Sequence, residues 1–338
     1  MKALNTTESI QTPQNVVIKY IHVYKKAGIS EETYVRLSKE YDTYHTISKK
    51  EDLYYCYKLL FPEYDLTDSR IKSIISKDGK CELKNNKEKV LRNLIRIFDR
   101  FESSNGKYIP FANDIESLAK SLYKDVDTVR FKTKIDGDLY KTKLEKLCDR
   151  YAVLKKEAKV EFGYLNLAFY LDLIKLAPFS IGNSEVAMLI LYALIINSDI
   201  NVFTFIPFFK LLYERRDEFN SAIDYAFYRY DVGYPELFRP LYVILDIESN
   251  AYTKLEEIKR DKEFDKEMSK AMIIENIIYK LDPQFKKSDI REMAPNISDS
   301  TIDRVLTKLS EEGKIRAFDV GRNASWLRID DSYDKSLF

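Results

Sequence analysis

The sequence predicts a mainly α-helical protein, made of a large helical bundle followed by a small winged-helix domain. Only nine glycines occur among 338 residues, which argues against a turn-rich β architecture. Apolar residues recur at helical spacing through most of the chain. An almost wholly charged segment from Glu256 to Glu267 then precedes a tail with different patterning. We therefore predict two domains, residues 1–264 and residues 265–338.

Composition excludes several classes of protein. The 55 Lys and Arg residues nearly balance the 54 Asp and Glu residues, so no global field attracts nucleic acid or an anionic membrane. Cys56, Cys81 and Cys148 lie far apart and fit neither a disulfide framework nor a zinc site. The N-terminus lacks the apolar stretch of a signal peptide, and the longest apolar run, 187–196, is too short to span a bilayer. We expect a cytoplasmic protein with no metal and no membrane partner.

Helices dominate the first half of the predicted bundle. Val16, Tyr20 and Tyr24 belong to an amphipathic stripe over 15–26, which we expect Gly28 to end. Similar patterns predict helices within 30–60 and over 68–76, 87–101 and 111–123. Val129, Phe131, Thr133 and Ile135 then alternate with basic residues ahead of an Asp-Gly turn, which predicts a short β-hairpin within 129–140.

The second half of the bundle contains the most apolar helix. Predicted helices over 141–156 and 162–176 lead to a loop with a Pro, a Gly and an Asn. The next segment, 185–197, is apolar nearly all round and is therefore expected in the middle of the domain. Helices over 208–230 and 236–257 complete the bundle.

The C-terminal domain has the pattern of a winged helix-turn-helix. Helices are predicted over 268–281, 287–293 and 298–313, the last beginning at a Ser cap and ending at Gly313. Two strands, 314–318 and 325–329, flank a wing around Gly321-Arg322-Asn323. Trp326 is expected to pack in the domain core.

The loop Ala177-Pro-Phe-Ser-Ile-Gly-Asn-Ser-Glu185 joins two buried helices, and a helix N-terminus there could bind an anion. Together with the hairpin before it, this loop resembles the motif of the Fic family, His-Pro-Phe-x-Asp/Glu-Gly-Asn-Gly-Arg-x-x-Arg. The resemblance to this family covers most of residues 1 to 260. The resemblance implies a Fic-type helical bundle with a β-hairpin flap, and many Fic proteins also carry a C-terminal winged helix. It also implies transfer of AMP from ATP to a protein hydroxyl, with His as the base and the acid holding Mg²⁺.

The match to this motif is partial. The sequence keeps Pro178, Phe179, Gly182 and Asn183. It replaces the family's reactive and charged positions, with Ala177 for the His, Ile181 for the acid, Ser184 for the second Gly, and Glu185 and Met188 for the two Arg. Ala177 cannot accept a proton, Ile181 cannot ligate a hard cation, and Glu185 would repel a triphosphate. We therefore expect no catalytic residue in this motif, no bound cofactor and a cleft narrowed by side chains.

Two further Fic features survive in part. Glu8 corresponds to the glutamate of an N-terminal inhibitory motif, but Leu4 and Ser9 depart from that motif. The predicted flap, with Arg130, Phe131, Lys132, Thr133 and Lys134, corresponds to the edge on which the family binds a target segment by strand addition. A hairpin that only covers the core explains the same pattern equally well.

DNA binding by the winged helix is the other interaction that the sequence suggests. Residues 266–329 contain twelve Lys and Arg against ten Asp and Glu, so the domain is only weakly basic. The side chains that could contact DNA are Lys286, Lys287, Arg291, Thr301, Arg304, Lys308 and Arg322. A winged helix used for dimerisation or protein docking is the alternative.

Three hypotheses for function follow. We favour a Fic-fold protein inactive as an adenylyltransferase, which binds a protein partner or itself and contacts DNA through its winged helix. The second is an active Fic-type AMP transferase that modifies a protein hydroxyl with ATP and Mg²⁺ at an altered site. The third is a winged-helix transcription regulator whose helical domain senses a ligand in the vacated cleft.

Overall fold

The computed structural model describes residues 2–7, 11–38, 41–102, 108–133, 139–197, 202–267, 270–318 and 325–329. Within these residues the chain forms fifteen α-helices, a short 3-10 helix and a three-stranded sheet. It divides into two compact units, Met1–Glu256 and Glu257–Phe338. The division lies eight residues before the one we predicted after residue 264, and both positions fall within a single helix, Phe238–Glu267.

The first unit is a helical bundle. Its helices are α1 Lys2–Thr6, α2 Gln14–Ser38, α3 Tyr41–Leu60, α4 Asp68–Ser76, α5 Asn86–Glu102, α6 Ala112–Leu122, α7 Leu139–Glu157, α8 Phe162–Leu176, α9 Asn183–Ile196, α10 Phe208–Glu214, α11 Arg216–Asp231 and α12 Phe238–Glu267, the last reaching into the second unit. A 3-10 helix, Val202–Thr204, lies between α9 and α10. None of the described helices has the length and hydrophobicity that crossing a membrane requires.

Helices α8 and α9 occupy the centre of this bundle. Every residue of α8 from Tyr164 to Leu173 is buried, and so is every residue of α9 from Val186 to Ile195. A helix that is apolar on all sides lowers its free energy only by packing on all sides. The central position that the sequence predicted for α9 is therefore the observed one, and the loop at 177–182 joins the two most buried helices.

Two helix boundaries differ from the prediction. Helix α2 continues through Gly28, because the buried face that contains Val23 resumes at Ser30 and Thr33. Packing of this kind outweighs the cost of a helical Gly, about 1 kcal/mol. The segment predicted as one helix over 208–230 is instead α10 and α11, which meet at Arg215.

The predicted β-hairpin is wrong in its second arm. Leu139 and Tyr140 begin helix α7, and residues 134–138, including the Asp-Gly turn, lie outside the described residues. The first arm pairs elsewhere, through an antiparallel bridge between Phe131 and Phe179. The alternating pattern thus indicated an extended segment correctly, but its partner comes from the loop after α8.

The second unit has its own core. Helices α13 Lys270–Lys280, α14 Lys287–Met293 and α15 Asp299–Glu311 pack with strands β1 Gln284–Lys286, β2 Ile315–Ala317 and β3 Ser325–Arg328. The strands are antiparallel in the order β1-β3-β2, with Trp326 opposite both Phe285 and Ala317. Strand β1 was not among the two strands predicted for this domain. The wing itself, residues 319–324, lies outside the described residues, so the winged helix stays a prediction.

Candidate functional site

The motif loop is here defined as residues 177–185, which are the six residues between α8 and α9 and the first turn of α9. The six connecting residues begin and end in left-handed backbone. Ala177 follows the last residue of α8 with a φ of 43°, and its N–H donates to the carbonyl of Leu173. Gly182 precedes α9 with a φ of 74°, and its carbonyl accepts from the N–H of Val186. The two positions turn the chain sharply enough to join antiparallel neighbours through six residues.

Asn183 closes the motif loop from inside. Its Oδ1 accepts from the N–H of Phe179 at 2.9 Å, and its Nδ2 donates to the carbonyl of the same residue at 2.8 Å. Phe179 is fully buried. The retained Asn and Phe therefore hold the loop's shape, and the N–H of Phe179 is not available to an anion.

The other side of the motif loop pairs with residues 129–133, here called the flap segment. The N–H of Lys132 donates to the carbonyl of Pro178 at 2.8 Å, and the N–H of Ser180 donates to the carbonyl of Arg130 at 2.8 Å. The ring centroids of Phe131 and Phe179 lie 5.2 Å apart. This pairing uses a second loop N–H, that of Ser180.

Tyr123 packs on the point where α9 begins. A Cβ atom built on Gly182 would clash with the ring of Tyr123, so the ring lies directly against the loop backbone. Burial and the nearby carboxylate of Glu185 raise the pKa of the Tyr123 phenol. Burial, Glu63 and Glu185 likewise raise the pKa of Tyr64. Both phenols therefore stay protonated at neutral pH and cannot serve as a base.

The remaining motif positions contribute no cationic side chain. Pro178 and Met188 are buried, Ala177 and Ile181 are half-buried, and Ser184 is exposed. Glu185 is half-buried in the first turn of α9. Anions are stabilised at a helix N-terminus by the helix dipole, so this carboxylate already occupies the place of an anionic ligand.

ATP and Mg²⁺ do not fit these residues. A triphosphate would meet the carboxylate of Glu185 and the ring of Tyr123, and two of the loop N–H groups already have partners. A hard cation requires oxygen ligands, which Ile181 lacks. In the described part of the chain, no three His, Cys, Asp or Glu side chains are close enough together to hold a metal ion.

The sequence does not predict that Tyr64 and Tyr123 lie near Glu185 of the motif loop. Nothing in their local pattern separates these two residues from the other tyrosines. For Asp172 the sequence favours a solvated or capping carboxylate over a catalytic one. In the structure Asp172 is buried and accepts from the N–H groups of Ala3 and Leu4, at 3.2 and 2.9 Å. It therefore caps α1 from α8 and holds the N-terminal segment on the bundle.

The flap and inhibitory residues are described only in part. Arg130, Lys132 and Thr133 are exposed and Phe131 is half-buried. Lys134 and Glu8 lie outside the described residues.

Acidic residues pair with three of the predicted DNA-contacting side chains in the second unit. Lys287 lies 2.6 Å from Asp303, Arg291 pairs with Asp299, and Lys308 lies 3.6 Å from Glu312. The Thr301 hydroxyl bonds to that of Ser298. Lys286 and Arg304 are exposed, and Arg322 lies outside the described residues. The described basic surface is weaker than the sequence suggests.

Comparison with solved structures identifies the fold. A Fic family protein from Desulfovibrio desulfuricans aligns with a TM-score of 0.52 at 11% identity, covering 96% of this chain and 99% of that one. A fragment of Fic-1 from C. elegans aligns with a TM-score of 0.53 at 11% identity, over 73% of this chain and 74% of that one.

A Fic domain containing signaling protein from Bacteroides thetaiotaomicron gives a TM-score of 0.50 at 12% identity, over 72% of this chain and 96% of that one. No protein-family model and no curated protein matches the sequence. The chain therefore has the Fic fold.

Proposed function

We propose that this Fic-fold chain is a protein-binding regulator and does not transfer AMP. The observation that carries the proposal is the motif loop itself, whose N–H groups at Phe179 and Ser180 bond within the protein while Glu185 lies at the start of α9. A loop arranged in this way keeps the backbone turn of an anion site but places a negative charge at it.

The flap segment supplies the proposed binding edge. In an antiparallel pair, the N–H and C=O groups of a residue in a non-hydrogen-bonded position face away from the partner strand. Phe131 and Phe179 form such a pair, since the bonds on either side come from Lys132 and Ser180. Asn183 satisfies the outward groups of Phe179, whereas within the described residues no backbone hydrogen bond involves those of Phe131.

The chemistry of this edge favours an extended acidic segment of a protein. A strand added beside Phe131 would bond to its outward N–H and C=O groups. Arg130 and Lys132 are exposed on either side, and both side chains are basic. Charge complementarity of this kind raises the association rate and selects the partner more than it raises affinity.

Nucleotide binding tests the first half of the proposal. Thermal unfolding of the full chain should give the same Tm with and without ATP and Mg²⁺, and label from ATP should not move to the chain or to lysate proteins. If ATP and Mg²⁺ instead raise the Tm by several degrees, and Glu185→Arg enlarges this increase, the motif loop binds phosphate. Transfer of label from ATP to a protein would establish the alternative, an active AMP transferase.

Peptide selection tests the second half. Random peptides displayed against the full chain should yield extended acidic sequences whose binding Arg130→Glu/Lys132→Glu abolishes. The matched control is Lys156→Glu/Lys159→Glu, which reverses two exposed charges on and just after α7. If the selected peptides bind both double variants as tightly as they bind the unaltered chain, the peptide site lies outside the flap segment.

A further inference from the structure

A small cavity in the first unit contains two buried carboxyl groups. It lies among α2, α8, α9 and α12 and has a volume of about 30 Å³. Its polar lining consists of Tyr20, Tyr24, Glu161, Asn166 and Glu248. Leu and Ile side chains form most of the remaining wall.

Glu161 lies on one side of this cavity, where burial raises the pKa of its carboxyl group although hydrogen bonds to it favour the charged form. It caps the N-terminus of α8, where its carboxylate accepts from the N–H of Tyr164 at 3.1 Å. The hydroxyl of Tyr20 donates to the same oxygen. Donors to a carboxylate favour its charged form, as does the positive end of a helix dipole.

Glu248 on α12 lacks such donors. Its side chain is 6% exposed, and its Oε2 is buried with no hydrogen-bond partner within the described residues. A buried polar oxygen without a partner costs about 1–3 kcal/mol, and a charged one costs more. No Lys or Arg lines the cavity, so the described residues provide no counter-charge.

We propose that this cavity binds one small monovalent cation, such as Na⁺ or K⁺, against Glu248 and Glu161. Such an ion would supply the positive charge that two buried carboxylates require. The volume exceeds the 10–15 Å³ or so that one water needs, so a partly dehydrated ion fits.

A proton competes with the cation for the same carboxyl group. Burial and the neighbouring Glu161 raise the pKa of Glu248 to about 8. The other titratable groups facing Glu248 in the cavity are Tyr20 and Tyr24 of α2, because α9 contributes only Leu191 and Ile195. Cation binding should therefore strengthen as the pH rises towards 8 and above.

Thermal unfolding of the full chain in different salts tests the proposal. We compare the Tm of the first unit in about 150 mM chloride of K⁺, Na⁺ or tetramethylammonium, which is too large for the cavity. At about pH 8.5, Na⁺ or K⁺ should raise the Tm by about 5 °C over tetramethylammonium, and by much less at about pH 6.5. Glu248→Gln should remove the difference, whereas Glu145→Gln on the exposed face of α7 should keep it.

Two results would overturn the proposal. The first is an equal Tm in all three salts at the higher pH, which would leave Glu248 as a proton site. The second is a salt difference that survives in Glu248→Gln. If that variant does not fold, the test is an anomalous peak beside Glu248 in crystals of the unaltered chain soaked in Tl⁺. The absence of this peak would also refute the proposal.

Discussion

Ala177 and Gly182 share a left-handed backbone but differ in what a side chain costs there. Ala177 has a φ of 43°, a conformation that disfavours any residue with a Cβ. Gly182 has a φ of 74° and touches the ring of Tyr123. The loop therefore tolerates strain at its first turn and uses glycine only where an aromatic ring allows no other residue.

Opposite substitutions at these two positions should have opposite effects on stability. We expect Gly182→Ala to lower the free energy of unfolding by about 2–3 kcal/mol, because it adds both backbone strain and a clash. Ala177→Gly should raise it by about 0.5–1 kcal/mol. Urea unfolding measures both. Combining Gly182→Ala with Tyr123→Ala should cost less than the sum of the single changes, and strict additivity would contradict the contact.

Asp52 should make the first unit less stable as the pH rises. Burial raises its pKa to about 8, although the N–H of Phe209 and the hydroxyl of Tyr192 favour its charged form. Because this folded pKa exceeds the unfolded value of 3.8, stability is full at low pH and falls between about pH 4 and pH 8, by at most about 1.4 kcal/mol per pH unit. Asp52→Asn should flatten the pH profile of urea unfolding, and an unchanged profile would refute this assignment.

Helix α1 illustrates how one side chain fixes an element. A helix of five residues cannot persist alone, so α1 depends on its contacts with α8. Asp172 accepts from Ala3, Leu4 and the hydroxyl of Tyr230, which lies at 2.9 Å. The N-terminal segment is thus fixed on the bundle through buried hydrogen bonds.

Removing Asp172 should release α1. Asp172→Ala leaves buried N–H donors without partners and should cost about 2–4 kcal/mol, with lost hydrogen-exchange protection at Leu4. Tyr230→Phe removes one bond only and should cost about 1 kcal/mol. Retained protection in the Ala variant would mean that apolar packing alone holds α1.

Helices α14 and α15 carry ion pairs that would compete with DNA for the same cations. Lys287 pairs with Asp303 and Arg291 pairs with Asp299. We expect DNA binding by the full chain to be weak and lost as salt is raised from about 50 to 200 mM. Asp299→Asn/Asp303→Asn should free both cations, tighten binding and steepen its salt dependence. Asp282→Asn/Glu311→Gln, which removes two exposed charges outside these ion pairs, is the control. No DNA binding by either variant would exclude this role.

At the scale of the whole molecule, each unit has a core of its own. Ile302 is fully buried in the core of the second unit, and Phe169 is fully buried in that of the first. A unit with a complete core can unfold as one cooperative domain.

Core truncations should therefore affect the two units separately. Ile302→Ala should cost about 2–5 kcal/mol and lower the Tm of the second unit only, while Phe169→Ala should lower that of the first. Scanning calorimetry of the full chain resolves the two transitions. A single transition that both variants shift equally would show that the units unfold together.

The sequence determined the elements with strong local patterns. The apolar segment at 185–197 predicted the central helix α9, and the retained Pro, Phe, Gly and Asn of the motif loop predicted the Fic fold. Two properties of the motif loop depend on residue type alone: Ala177 has no group that accepts a proton, and Ile181 has no oxygen that ligates a hard cation.

Only the tertiary structure decided the long-range pairings. The partner of Phe131 is Phe179, 48 residues away, and not a second hairpin arm. Tyr123 reaches Gly182 and Asp172 reaches α1 through contacts that no local period encodes. Secondary structure follows from periodicity along the chain, whereas the surroundings of the motif loop depend on which buried surfaces meet, and those involve residues distant in sequence.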